Sequence, residues 1–331
     1  IQKCSNCNLI QVSSSPPPQV FYDDYIYESS SSSDMDENFQ SLVLSIEKQI
    51  QGVVPTSNPK ILDIGCNDGL LLSQIKQKIP KCDLFGTDPS PITANTKIKG
   101  IKFFNEYFPE RQTLKCQPYD IVIATNSFAH IPDIKEATLK VHSILKDGGS
   151  FIIEVSDFKK MVEIGAWDYI YHEHLYYYTR ISATYLLESC GFSVISIESI
   201  DTKGGSLRIT AEKKAQNIIR EKVDSSCKEK ELENLLILRE KYEKWVLELE
   251  IFLKRLESYD GAYGYGACAT GSVVIAQSKI FEKLKGIFDD NPKRQGTYAP
   301  ASGIPVLNIK QTKIGKNDVI IIFAWRFSDQ I

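Results

Sequence analysis

The 331-residue chain has no apolar run near the roughly 20 residues that a membrane-spanning helix needs. A membrane partner is therefore not expected. A surplus of basic charge is also missing: 39 Lys and Arg stand against 42 Asp and Glu, for a net charge of −3. With no basic face advertised, nucleic acid is an unexpected partner too. No leader peptide is visible, and the chain opens abruptly at IQKCSNC, which suggests that the natural terminus lies upstream. Histidine is scarce, at four residues, and H-E-x-x-H is absent. The eight cysteines include one C-x-x-C pair, Cys4 and Cys7, and no second such pair. Two thiolates at that spacing are half of a tetrahedral zinc site, or idle thiols. The other six are scattered through stretches that read as enzyme core, so a reduced, cytoplasmic compartment is expected. The length suffices for two domains of ordinary size.

The most informative stretch is ILDIGCNDG at 61–69. It reads as a short strand, a glycine turn and a helix start. Asp63 ends the strand, and Gly65 and Gly69 let the backbone turn sharply and approach a ligand. A second apolar strand, LFGT, ends in Asp88, 25 residues after Asp63, where an acid can accept hydrogen bonds from ribose hydroxyls. The turn lacks the G-x-G-x-x-G of a dinucleotide site. Its D-x-G-x-x-x-G pattern plus the later acid resembles the first two motifs of Rossmann-like S-adenosylmethionine (SAM) methyltransferases. The expected cofactor-binding set is Asp63, Gly65, Cys66, Asn67 and Gly69, with Asp88 and Pro89.

The pattern continues. YDIVIATNSFAHI (119–131) reads as a strand that leaves Asn126, Ser127 and His130 at its carboxyl end, where ligands of open parallel sheets bind. A helix follows at about 133–145, a strand at 150–155 and a helix at about 181–190. Two β-rich runs, 192–200 and 206–213, are joined by Lys203-Gly204-Gly205 and read as a hairpin. The expected fold class is α/β, a doubly wound sheet with an antiparallel edge.

Three flanking segments add to this core. SSSPPP and SSSSS enclose FYDDYIYE, a loop carrying Tyr22, Tyr25 and Tyr27, which either packs or serves as a lid. Leu232, Leu235, Leu238, Tyr242, Trp245, Leu249, Phe252 and Leu256 recur at helical spacing, a packing stripe on one long helix. YDGAYGYGACATGS (259–272) and KGIFDDNPKRQG (285–296) mimic a second nucleotide fold, but the third glycine comes late, at Gly271. Either a nucleotide-binding face or a structural half-Rossmann unit satisfies them.

The densest chemistry is IYHEHLYYY at 170–178. Tyr171, His172, Glu173 and His174 crowd a phenol, two imidazoles and a carboxylate into four residues. Adjacent residues converge poorly on one metal ion, and burying so many titratable groups would require a partner for each. An acid/base cluster suits them, because histidine titrates near neutral pH and a neighbouring carboxylate tunes it.

Taken in order, C-x-x-C-x-L-x-Q, DY-x-Y-x-SS, ILDIGCNDG, NSFAHI, IYHEHLYYY, GGSLR, GYGACATGS and DDNPKRQG resemble sugar C-methyltransferases acting on nucleotide-linked keto-deoxysugars. The resemblance covers nearly the whole chain. It implies a partial zinc-binding module and tyrosine loop at 1–35 and a SAM-dependent methyltransferase domain at 36–225. A linking helix at 226–257 and a carboxyl-terminal Rossmann-like domain at 258–331, helping to hold a nucleotide sugar of dTDP type, complete it. It implies structural zinc on Cys4 and Cys7 with two further ligands upstream. It also implies His174 as the base, with Tyr171, Glu173, His130 and Tyr25 around the acceptor. The chain departs from the pattern in having Lys203 where relatives often carry histidine before GGS, and Asp88 where glutamate is common. An O- or N-methyltransferase, or a non-catalytic binding protein with two nucleotide folds, are the other readings.

Overall fold

The computed structural model describes residues 1–31, 33–51, 58–214, 225–300, 302–329 and 331; the side chains of 33, 34, 51 and 225–232 lie outside the description. The chain divides into two compact units, Ile1–Lys160 with His172–Glu229, and Met161–Tyr171 with Lys230–Ile331.

Among its described residues the first unit carries ten strands. In chain order they are β1 (Gln2–Lys3), β2 (Ile10–Gln11), β3 (Lys60–Ile64), β4 (Asp83–Thr87), β5 (Ile101–Phe104), β6 (Tyr119–Thr125), β7 (Leu145–Ser156), β8 (Tyr176–Tyr177), β9 (Phe192–Ile200) and β10 (Ser206–Lys213). Seven form one sheet, in the order β5-β4-β3-β6-β7-β10-β9. β3 to β7 pair in parallel, while β10 runs antiparallel to both β7 and β9. The antiparallel strand therefore sits one place in from the edge, and β9 is the edge. β1, β2 and β8 form a small antiparallel sheet.

Side-chain alternation sorts the sheet into two cores. Leu62, Ile64, Val122, Ala124, Phe151 and Ile153 face one cluster, and Ile61, Ile121, Ile123 and Ile152 the other. On the second face lie the helices Ser33–Gln51, through Phe39, Leu42 and Ile46, and Leu70–Lys78, through Leu71, Leu72 and Ile75. The helix Ile134–Ile144 begins at Asp133, whose carboxylate accepts the Glu136 N–H at 2.9 Å. Arg180–Ser189 begins at a Thr179–Ser182 capping box. Each cap satisfies donors that the first helical turn leaves unpaired.

One buried ionic network ties helix to sheet. Arg208 on β10 is 4% exposed and Glu154 on β7 is fully buried. Arg208 Nε donates to Glu154 Oε1 at 2.6 Å, and its other nitrogens reach Ser41 Oγ, Asn38 O and Asn38 Oδ1. Asn38 Nδ2 in turn donates to Glu154 Oε2 at 2.7 Å. The arginine of GGSLR is thus a structural cross-brace. A buried pair satisfied in this way is costly to break by removing one partner.

In the second unit β11 (Gly261–Tyr265), β12 (Leu284–Phe288), β13 (Val306–Leu307) and β14 (Asp318–Ile322) form a parallel sheet ordered β13-β12-β11-β14. The helix Ser225–Leu256 packs Leu249, Phe252 and Leu256 on its core, and Tyr242 and Trp245 against Trp167. The stripe from Leu238 to Leu256 is therefore packing, while the Leu232 side chain lies outside the described residues. The glycines of GYG serve packing as well: a Cβ on Gly264 would strike Phe323, and one on Gly266 would strike Ala324.

Candidate active site

In the first unit, the carboxyl ends of β3, β4 and β6 open into a cleft of about 1000 Å³, continuous with solvent. Asp63, Gly65, Cys66, Asn67, Asp88, Pro89, Asn126, Ser127 and His130 line it, as do Tyr22, Tyr25 and Tyr27. Gly69 stands just behind, opening the helix Leu70–Lys78.

The turn after β3 needs its first glycine. Gly65 has φ of 75°, and a Cβ there would overlap the Ser127 side chain. Ser127 Oγ closes the approach by donating to Ile64 O at 2.5 Å. Asn67 and Asn126, with φ of 51° and 54°, adopt the left-handed conformation that asparagine tolerates better than most residues. Both sit at the ends of central strands, where the chain bends around the cleft.

Several polar groups converge without partners inside the protein. Asp63 is 2% exposed, and its Oδ1 has no hydrogen bond; neither do Asn126 Nδ2 or the Tyr107 hydroxyl. Burial, then the charges of Asp88 and Glu154, pushes the Asp63 carboxyl up to about 8. A buried carboxyl in that state calls for a cation. Asp88, by contrast, is anchored: Oδ2 accepts the Asn67 N–H at 3.1 Å and Oδ1 the Ser90 N–H at 2.8 Å. These residues suit SAM, whose ammonium and sulfonium are positive and whose ribose hydroxyls are donors. Asp63 would hold the cationic methionine end and Asp88 the ribose. The cofactor supplies an electrophilic methyl group when bound.

The loop before the helix Ser33–Gln51 belongs to this cleft. Asn67 Nδ2 donates to Tyr27 O, and Asn67 Oδ1 accepts the Ser29 N–H, both at 2.9 Å. Asp68 Oδ2 accepts the Ser30 N–H at 2.9 Å. At the other end of the loop the Tyr22 hydroxyl lies 2.9 Å from His130 Nδ1. Ser15 Oγ donates to His172 O, and the Phe21 ring stacks on His172 at 4.9 Å.

The imidazoles of His130 and His174 lie 5.2 Å apart between centroids. The segment is pinned there by Leu175 N–H donating to Ala129 O at 3.0 Å. Burial, then the charges of His174 and Lys203, holds His130 well below the usual imidazole range. Burial raises Glu173, against the opposing charge of Lys203. Burial, then Glu173 and neighbouring acids and phenols, raises Tyr22, so its hydroxyl stays protonated. His172 is exposed. Tyr171 belongs to the second unit, and the cleft of the first does not include it.

Four residues that line the cleft stood outside the site expected from the sequence: Tyr22, Glu106, Tyr107 and Lys203. Tyr22 rather than Tyr25 bonds the histidine, although both stood in the same tyrosine loop. Glu106 and Tyr107 follow β5, a four-residue strand whose IKFF pattern was the available signal. Lys203 also lines the cleft.

At the amino terminus, Cys4 and Cys7 lie on the turn between β1 and β2. Burial opposes the Cys4 thiolate, but N–H groups of Cys7 and Asn6 and the Cys7 thiol pull it below the usual value. Cys7 is pushed up to about 11 by burial, with the shared proton and the charge of Cys4 adding to it. Among the described residues no cluster of three or more His, Cys, Asp or Glu is placed to hold a metal, so the two thiols do not complete a site.

Comparison with known proteins bears on the same regions. Residues 35–197 match the family described as a methyltransferase domain, and residues 201–331 the family described as a C-methyltransferase C-terminal domain. The chain is a methyltransferase. The C-methyltransferase NovU of Streptomyces niveus is 25% identical over 99% of this chain and 80% of its own length, and with the two domains it supports a C-methyltransferase family. Among solved structures, the plantazolicin methyltransferase BpumL is 18% identical, with a TM-score of 0.45 over 54% of this chain and 84% of its own. The magnesium protoporphyrin IX methyltransferase of Synechocystis PCC 6803 is 15% identical, with a TM-score of 0.42 over 59% and 88%. The methyltransferase match supports SAM as the cofactor. Among the described residues of this methyltransferase, no helix is long and apolar enough to cross a membrane.

Proposed function

We propose that this methyltransferase transfers the methyl group of SAM to a carbon alpha to the ketone of a nucleotide-linked keto-deoxysugar. The observation that carries the reading is the His174 ring lying 5.2 Å from the ring of His130, which lines the same cleft as Asp63. A carbon becomes nucleophilic only when such a proton is removed, so the reaction needs a base and donors for the developing charge.

On this reading the roles are assigned as follows. We assign the shared proton to Tyr22: with its hydroxyl donating to His130 Nδ1 across the 2.9 Å contact, the His130 proton lies on Nε2. His130 is then a donor, fit to hold a carbonyl oxygen, and His174 is the base. Glu173, the next residue along, orients His174 and favours the imidazolium that forms. Tyr25 bonds sugar hydroxyls, and Tyr171 is assigned to the acceptor by resemblance alone. The alpha proton would pass to His174 and the C–H electron pair would form the enolate; bound SAM would supply the methyl group in line, the S–CH3 bond pair staying on sulfur as S-adenosylhomocysteine leaves. The carboxyl-terminal unit serves the nucleotide. Structural zinc on Cys4 and Cys7 belongs to the same reading and requires two more protein ligands.

The test is solvent exchange. Incubated with S-adenosylhomocysteine and a dTDP-linked 4-keto sugar in heavy water, the protein should wash deuterium into the alpha position. His174→Asn should abolish exchange and methyl transfer together, by on the order of 10²–10⁴, while leaving SAM binding intact. Methyl transfer to a hydroxyl or amine with no exchange would overturn C-methylation.

A further inference from the structure

The cleft wall holds three carboxylates, Asp63, Asp88 and Glu106, but a single lysine or arginine among its described lining residues, Lys203. Lys203 stands in the turn between β9 and β10, in a left-handed conformation with φ of 53° and ψ of 33°. Residues with a Cβ rarely adopt that conformation. The surroundings impose it. Gly204 and Gly205 follow with φ of 83° and 114°, and a Cβ on Gly205 would overlap the Lys160 side chain. Gly205 N–H and Ser206 Oγ both donate to Thr202 O, fixing the turn. Strain held in place by its neighbours collects at functional sites. The turn sets the ammonium 5.7 Å from the centre of the Tyr27 ring, and its charge is felt by both His130 and Glu173.

We propose that Lys203 is a further catalytic residue, whose ammonium stabilises the oxyanion that forms on the acceptor's carbonyl as the alpha carbon is deprotonated. The inference rests on the function proposed above. As His174 takes the proton, the C–H pair forms the carbon–carbon double bond and the carbonyl π pair moves onto oxygen. Lys203 keeps its own protons throughout and donates a charge-assisted hydrogen bond to that oxygen. When the new carbon–carbon bond forms, the pair returns and the carbonyl is restored. A fixed cation aimed where charge develops is the kind of group whose removal lowers the chemical step without removing the base.

The alternative role is electrostatic tuning. Lys203 and His174 both hold a proton off His130, Tyr22 bonds its Nδ1, and Lys203 alone opposes the burial of Glu173. Lys203→Met would then act through protonation only, and higher pH would restore it. The experiment measures deuterium wash-in with dTDP-4-keto-6-deoxyglucose and S-adenosylhomocysteine from pH 6 to 9. Lys203→Met should lose about 10²–10³ in exchange rate across the whole range, and Lys203→Arg should retain most of it. Lys203→Asn, which tolerates the left-handed backbone but lacks the ammonium, should lose as much as the methionine variant; near-wild-type exchange in it would show that the turn and not the charge matters, and would overturn the assignment. SAM affinity, measured in parallel, should hold within about threefold, since Asp63 and Asp88 are untouched. Exchange in Lys203→Met that equals wild type, or recovers to it at pH 9, would overturn the assignment of Lys203 alone. Absence of exchange in the wild-type protein would overturn the proposed function and this inference with it.

Discussion

SAM binding should expel a proton from Asp63. In the cofactor-free fold this carboxyl sits at about 8, raised by burial and by Asp88 and Glu154. At pH 6.5 it is therefore neutral in more than nine molecules of ten, by the ordinary titration relation. A positive ligand against Oδ1 reverses this and favours the carboxylate. If the bound state ionises in the range of an ordinary aspartate, about one proton leaves per SAM bound at pH 6.5. Affinity should then rise about tenfold per pH unit between pH 5.5 and 7.5, or about 1.4 kcal/mol per unit. Titration calorimetry in two buffers of different ionisation enthalpy counts the proton directly. Asp63→Asn should abolish the release, flatten the pH dependence and weaken binding by at least tenfold, or about 1.4 kcal/mol. The stability of the free protein follows the same linkage. Between about 3.8 and 8 the folded state holds a proton that the unfolded chain releases, so stability contributed on the acid side is lost as pH rises toward 8. Wild-type affinity that is flat across this range, with no proton released, would refute the reasoning.

Tyr22→Phe removes the hydroxyl that lies 2.9 Å from His130 Nδ1 and should slow alpha exchange by about 2–10-fold, the worth of one neutral hydrogen bond; a rate unchanged within error would show that the phenol does not set the tautomer. Arg208→Met leaves Glu154 charged and unpaired beneath the helix Ser33–Gln51. Urea unfolding should show a loss of about 3–5 kcal/mol, most of it recovered when Glu154→Leu is added. A single variant within about 1 kcal/mol of wild type would mean that the brace contributes little. Zinc should be present at one ion per chain in the protein isolated from its native source, with both thiols protected from alkylation; an elemental analysis returning none would reject the site.

The parallel core was legible because strands buried on both faces read as continuous apolar runs, and ILDI, LFGT and DIVIA are such runs. The Asp63 turn was legible because its glycines have a steric job: Ser127 occupies the space a side chain at 65 would need. The hairpin at 192–213 showed in its two β-rich runs, but not the insertion of β10 between β7 and β9, since pairing partners are non-local. β5 was missed because four residues are too few for a periodic signal. The histidine cluster was legible as composition. The contact of His130 Nδ1 with Tyr22, 108 residues earlier in the chain, was not, because such pairings are non-local. The long helix was read correctly as packing from Leu238 onward, where a three- and four-residue stripe has one physical explanation.

The loop from Tyr22 to Ser30 is fastened at one end to the turn that would hold the cofactor, through Asn67 and Asp68, and at the other to His130. Two ligands that meet the same strap cannot bind independently. Whatever free energy the cofactor lends to settling the strap, the acceptor recovers, and the reverse holds by the same amount. Ordered binding, cofactor before acceptor, is the expected kinetic outcome if the strap settles on the cofactor side first. Product-inhibition patterns would display it, with S-adenosylhomocysteine competing against SAM alone.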